Sequence, residues 1–181
     1  MKRIILAMLA ALTISTAQAG ELAGVTLPDT ATLGGQSLVL NGMALREKYF
    51  LDIYVGGLYL PAKTTDGATA INQDVAKKIE MSFIYSEVPA EKTIETYREV
   101  WALDPNYPAV QAQAETFCSW ITTLHSGETM TIQYVPGEGT SLLVNGAKKG
   151  TIPGVEFMRV IFSNYLGPHA NKVLRTGMLG K

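Results

Sequence analysis

The spacing of apolar positions changes period along the chain, and the changes mark out its elements. Residues 37–45 (Ser-Leu-Val-Leu-Asn-Gly-Met-Ala-Leu) and 49–59 are rich in β-branched and aromatic side chains. They read as two strands around a short Arg46-Glu-Lys48 turn. Gly56-Gly57 in the second run signals a bulge, or a point where another group comes close to the backbone. After a polar loop, Ile79, Met81, Phe83 and Tyr85 alternate at period two, the mark of a half-buried strand. The period then lengthens. Pro89 suits the first turn of a helix, and Ile94, Tyr97, Arg98 and Trp101 follow at helical spacing. Asp104-Pro-Asn-Tyr-Pro108 stops that helix, and Val110, Ala114, Phe117 and Ile121 stripe a second one over residues 109–124. Strands return at 129–135 and 140–144 around Pro-Gly-Glu-Gly, followed by the tight-turn signal Asn145-Gly146. Two more helical stretches, 155–165 and 170–178, flank Leu166-Gly-Pro168.

Strands, two helices, strands again and then helices is not the regular alternation of a parallel doubly wound sheet. The order predicts an α+β domain, with a large antiparallel sheet covered on one face by helices. No repeat or low-complexity linker interrupts it, and residues 20–181 read as a single domain.

The first nineteen residues read differently. Lys2 and Arg3 precede an apolar run from Ile4 to Ile14, and Ala17-Gln-Ala19 supplies the small residues of a cleavage site, so residues 1–19 are expected to be a removed export signal. The apolar run is well short of the roughly 20 residues a membrane-spanning helix needs, so stable membrane insertion is not expected. The mature chain is then expected in a periplasm or outside the cell.

Charge narrows the possible partners. Losing Lys2 and Arg3 takes the net charge from −1 to −3, and the only adjacent cation pairs left are Lys77-Lys78 and Lys148-Lys149, both read as solvated ends of elements. Nucleic-acid binding needs clustered cations to neutralise phosphates, and this chain lacks them. Cys118 is the only cysteine, so no intramolecular disulfide forms, and its helical apolar setting reads as a small buried hydrophobe. Two histidines and one thiol do not make a metal site by spacing, and nothing calls for a cofactor. Trp101 and Trp120 read as core. No Ser-His-Asp signature, phosphate-binding loop or dinucleotide fingerprint is present.

Arg46 is the residue that carries candidate chemistry. It sits between two apolar strand runs, where a permanent cation is either an exposed turn charge, worth about 0 to 1 kcal/mol in a surface ion pair, or an anchor for an anionic ligand. Asp52 is a possible internal partner that would neutralise it. In a hairpin turning at Glu47-Lys48, Arg46 pairs near Tyr49, and bringing Tyr54 to it requires long side chains or a bulge.

Three blocks carry a family resemblance: Gly42-Met-Ala-Leu-Arg46 with Phe50-Leu-Asp-Ile-Tyr54-Val-Gly-Gly-Leu-Tyr59-Leu60; Tyr134-Val-Pro-Gly-Glu-Gly-Thr140 with Asn145-Gly146; and residues 157–180 around Tyr165-Leu-Gly-Pro168. Together, over nearly the whole mature chain, they resemble a bacterial exported member of the chalcone isomerase-like proteins. The resemblance implies an open-faced β-sandwich, its sheet packed by helices on one side, with a cleft for a largely apolar ligand. In the plant isomerases an arginine, a threonine, a tyrosine and an asparagine organise the cyclisation of an enone. Here Arg46 matches the arginine, Tyr54 stands at the threonine, Pro89 at the tyrosine and Thr96 at the asparagine. Proline has no donor for enolate stabilisation, so the plant catalytic set is not retained and Arg46 alone would serve an isomerase.

A second branch, the plastid fatty-acid-binding proteins, holds a lipid carboxylate with an arginine and a tyrosine of this hairpin region, which Arg46 and Tyr54 resemble. The expected function is therefore non-catalytic binding of a fatty acid or similar apolar carboxylate. The expected ligand contacts are Arg46, Tyr54, Tyr59 and Thr96, with Tyr85, Tyr97 and Arg98 as further cleft-wall candidates. An isomerase or lyase acting on another enone, and a partner-interaction protein whose cleft is filled by its own side chains, are the alternatives.

Overall fold

The computed structural model describes residues 20–181; the expected export signal at 1–19 lies outside them. The chain begins with three short strands, β1 (Gly20–Leu22), β2 (Val25–Leu27) and β3 (Thr30–Leu33), and then two long ones, β4 (Gln36–Lys48) and β5 (Leu51–Leu60). Helix α1 (Gly67–Asn72), strands β6 (Lys77–Phe83) and β7 (Glu87–Val88), and helices α2 (Ala90–Trp101) and α3 (Tyr107–Cys118) follow. The chain continues through β8 (Leu124–His125), β9 (Thr129–Val135), β10 (Gly139–Val144) and β11 (Ala147–Ile152) to α4 (Val155–Leu166) and α5 (Lys172–Met178). Seven strands form one antiparallel sheet in the order β11-β10-β9-β6-β5-β4-β3, while β1-β2 and β7-β8 are separate pairs.

The period-two pattern decides which face each side chain takes. Ile79, Met81 and Phe83 of β6, Met130, Ile132 and Tyr134 of β9 and Leu58 and Leu60 of β5 join Trp101, Phe117, Phe157 and Phe162 from the helices in one large buried cluster. Burying such side chains contributes about 1.5–3 kcal/mol each, which drives the helices onto this face. The opposite face carries only a small cluster, Leu27, Leu33, Leu38, Leu40, Tyr59 and Ala76. Trp101 is fully buried and stacks between Tyr97 and Tyr107 at 5.3 and 5.7 Å. Cys118 is buried as expected, and its thiol is pushed up to about 11 by burial and then by Glu115.

Several expectations need correction. Arg46, Glu47 and Lys48 belong to β4, and the turn falls at Tyr49-Phe50, both at positive φ (52° and 65°). The expected helix at 109–124 starts earlier and stops at Cys118, because Leu124 and His125 pair with β7 instead. The polar loop before β6 contains α1, and Pro89 is the residue that precedes α2 rather than part of its first turn. Of the two readings of Gly56-Gly57, the close approach holds: a Cβ on Gly56 would lie 2.4 Å from the Met178 methyl, and one on Gly57 2.4 Å from Leu27.

Lys77 overturns the solvated reading of its pair. Its side chain is fully buried, and Nζ donates to the carbonyls of Ala70 at 2.6 Å, Gln73 at 2.7 Å and Ile71 at 3.2 Å. It thereby satisfies the orphan carbonyls at the end of α1. Burial pulls this ammonium down to about 8. Lys78 lies over the Tyr59 ring at 4.5 Å and bonds Glu80 at 2.6 Å, whereas Lys148 and Lys149 are exposed as expected.

Candidate functional site

The β4-β5 ladder is irregular at two points, and the outer irregularity builds the site. Arg46 stands opposite Tyr54, but Glu47 stands opposite Asp52, so Ile53 is an extra residue on β5. Such a bulge bends the strand and re-aims its side chains. The Ile53 carbonyl, displaced from the ladder, accepts from Ile84 N at 3.0 Å and Tyr85 N at 3.1 Å, which fixes the bulge. Arg46 and Tyr54 are thus cross-strand neighbours on one face, a proximity the sequence alone could not place without this bulge. Asp52 is carried opposite Glu47 and makes no ion pair with Arg46. Among the described residues no carboxylate lies within salt-bridge distance of the guanidinium, whose one hydrogen bond is Nη1 to the Glu47 carbonyl at 2.9 Å.

Behind this pair lies a cavity of about 610 Å³, within the size range of small-molecule sites. Its apolar wall comes from the sheet (Met81, Phe83, Met130) and from Val88, Val100 and Leu174. The cleft is therefore not filled by its own side chains. Arg46, Lys48, Tyr49 and Lys92 line the same cavity, and the hairpin tip beside it is solvent-facing: Tyr49 is 83% and Phe50 101% exposed.

Tyr54 packs on Phe83 with ring centroids 5.2 Å apart, and its hydroxyl has no hydrogen-bond partner among the described residues. Burial raises its pKa above the ordinary phenol range, and the Arg46 charge only partly offsets that. Tyr97 and Tyr165, also in the cavity, share a short hydrogen bond between their hydroxyls, and burial raises both. All three phenols are neutral donors at biological pH, not bases. Thr96 lines the cavity, its hydroxyl bonded to the Lys92 carbonyl at 2.9 Å.

Tyr59 does not join the others. It is fully buried on the opposite face, and its hydroxyl bonds the Pro28 carbonyl at 2.9 Å. The odd spacing between Tyr54 and Tyr59 already put them on different faces. Arg98 points away from the cavity and pairs with Glu115 through two hydrogen bonds. Tyr85 and Tyr97 do line it. Sequence reading missed Asn164, Tyr165 and His169, which sit at and just beyond the end of α4; the Tyr165-Leu-Gly-Pro168 block was the available signal.

A family model described as chalcone isomerase-like matches residues 19–180. The chain belongs to the chalcone isomerase-like family. Among solved structures, this chalcone isomerase-like chain is similar to an Arabidopsis thaliana fatty-acid binding protein. The TM-score is 0.67 at 16% identity, covering 90% of this chain and 96% of that one. At that identity the likeness establishes the shared fold, the α+β architecture with its large antiparallel sheet. No curated protein matches this chalcone isomerase-like chain.

Proposed function

We propose that this protein is an exported, non-catalytic carrier of a fatty acid or similar apolar carboxylate. The observation that carries the reading is the direct opposition of Arg46 and Tyr54 across the outer bulge, at the rim of the apolar cavity. A guanidinium meets a carboxylate with two parallel hydrogen bonds, and a neutral phenol adds a third. Each methylene buried in the cavity contributes about 0.8 kcal/mol, so the tail supplies affinity and the polar pair supplies orientation. The binding of a fatty acid by the Arabidopsis relative supports the same ligand class here.

Catalysis by proton abstraction finds little support, because the cavity's buried phenols are held protonated. The Lys2-Arg3 and Ala17-Gln-Ala19 leader pattern supports export, and no helix among the described residues is long and apolar enough to cross a membrane. The test is Arg46→Ala. Long-chain fatty acids raise the wild-type melting temperature, and the substitution weakens their binding about 10- to 100-fold with little change in stability. Purified protein that carries no lipid and shows no thermal shift with any acid would sink the proposal.

A further inference from the structure

The cavity wall formed by the end of α4 is more polar than a plain hydrocarbon tail requires. Asn164, on the last turn of α4, is 7% exposed and lines the cavity; its Oδ1 is buried without a hydrogen-bond partner, and its Nδ2 makes no hydrogen bond among the described residues. A buried carboxamide left unpaired is costly, and native structures rarely keep one without a reason. The next residue, Tyr165, is hydrogen-bonded to the Tyr97 hydroxyl and also donates to the Met81 sulfur at 3.4 Å. A thioether is a weak acceptor, so a better one displaces it readily. The cavity therefore holds, beside the Arg46 and Tyr54 rim, a second polar point with one unused acceptor and two underused donors.

Resting on the carboxylate reading, we infer that this point recognises a hydroxyl group on the ligand's chain, so that the preferred ligand is a hydroxylated long-chain carboxylate. A hydroxyl both donates and accepts. Its oxygen can accept from Tyr165, and a half-turn of the carboxamide, which costs no volume, brings the enclosed Asn164 Oδ1 round to take its proton. A keto oxygen satisfies only the donors, and a methylene satisfies nothing. A site built to hydrogen-bond a ligand hydroxyl discriminates strongly against the analogue that lacks it, because its own buried groups are then left unpaired.

The experiment compares hexadecanoic acid with hydroxyhexadecanoic acids whose hydroxyl is moved along the chain, by calorimetry and thermal shift, on wild type and Asn164→Leu. One hydroxyl position is expected to bind wild type about tenfold more tightly than the plain acid. Asn164→Leu, close in size, should erase that preference, so that plain and hydroxylated acids bind the variant alike, and should itself melt at or above the wild-type temperature. Wild type that binds every acid alike, at all hydroxyl positions, overturns the inference and leaves the carboxylate reading standing. Wild type that binds none of them overturns both. Because the wild-type series discriminates by itself, the inference stays testable if the leucine variant fails to fold.

Discussion

The β4-β5 ladder carries two bulges, and they have opposite fates. At the inner one, between Leu40 and Gly42, the extra residue is Asn41. Its side chain is fully used: Nδ2 donates to the carbonyls of Met178 at 2.7 Å and Thr64 at 3.0 Å, and Oδ1 accepts from Thr64 N at 2.7 Å. The adjoining Gly42 lets α5 seat directly on the strand, since a Cβ there would lie 2.2 Å from the Gly177 carbonyl. At the outer bulge the backbone is satisfied but the flanking side chains are left available: among the described residues Tyr54 is unpaired and Arg46 bonds only a neighbouring carbonyl. The lesson is that a bulge becomes a lock or a site according to whether the protein satisfies its polar groups itself.

The contrast can be broken experimentally, beginning with the lock. Asn41→Ala leaves the Met178 carbonyl and Thr64 N–H without partners, and should cost about 3 kcal/mol in denaturant unfolding while fatty-acid affinity of the folded fraction is unchanged. A loss below about 1 kcal/mol would mean the inner bulge is not a lock.

The two β5 tyrosines sharpen the point. Tyr54→Phe should leave stability unaltered, because its hydroxyl bonds none of the described residues, but weaken carboxylate binding roughly fivefold, about 1 kcal/mol. Tyr59→Phe should do the reverse, costing about 1 kcal/mol of stability through the Pro28 bond with no effect on binding. Equal effects from the two substitutions would erase the distinction between the faces.

The turn that ends the site tests whether local strain is kept for function. Tyr49 and Phe50 both hold the left-handed conformation that Asn and Gly adopt most readily. Tyr49→Asn with Phe50→Gly should therefore stabilise the hairpin by about 1 kcal/mol in a chemical melt. A destabilised double variant would show that the aromatic tip contributes packing that outweighs its backbone cost.

The narrowest test, confined to a pH window, concerns Lys77, a second internally satisfied polar group. Its folded pKa, about 8, lies below the unfolded value, so between pH 8 and about 10 the unfolded chain binds the extra proton and stability rises with pH. Below pH 8 both states are protonated and the slope vanishes. Lys77→Met removes the charge, so the difference in stability between wild type and variant should drift in favour of wild type across that window. A constant difference would contradict the shifted ammonium.

Much of this was legible in the residues themselves. Alternation at Ile79, Met81 and Phe83, the helical stripe through Tyr97 and Trp101, and the Asn145-Gly146 turn placed strands, helices and the covered face, because period and turn chemistry are local properties. Parity on β5 also held the answer for Tyr59. The turn position was misplaced by a few residues because Tyr49-Phe50 lacks the Asn or Gly that such a turn ordinarily uses. The end of α3 was overrun because pairing of Leu124 with Val88 is a long-range event that a helical stripe does not reveal.

The sequence by itself thus determined an α+β chain with one permanent cation placed beside an apolar strand. Only the tertiary structure decided that the cation faces Tyr54, since a single extra residue, Ile53, shifts the register and register is a property of two strands together. It also decided that Lys77 is buried at a helix end and that Asn164 stands unpaired at the cavity wall. Whether a polar group is satisfied depends on atoms distant in the chain, and no local pattern records them.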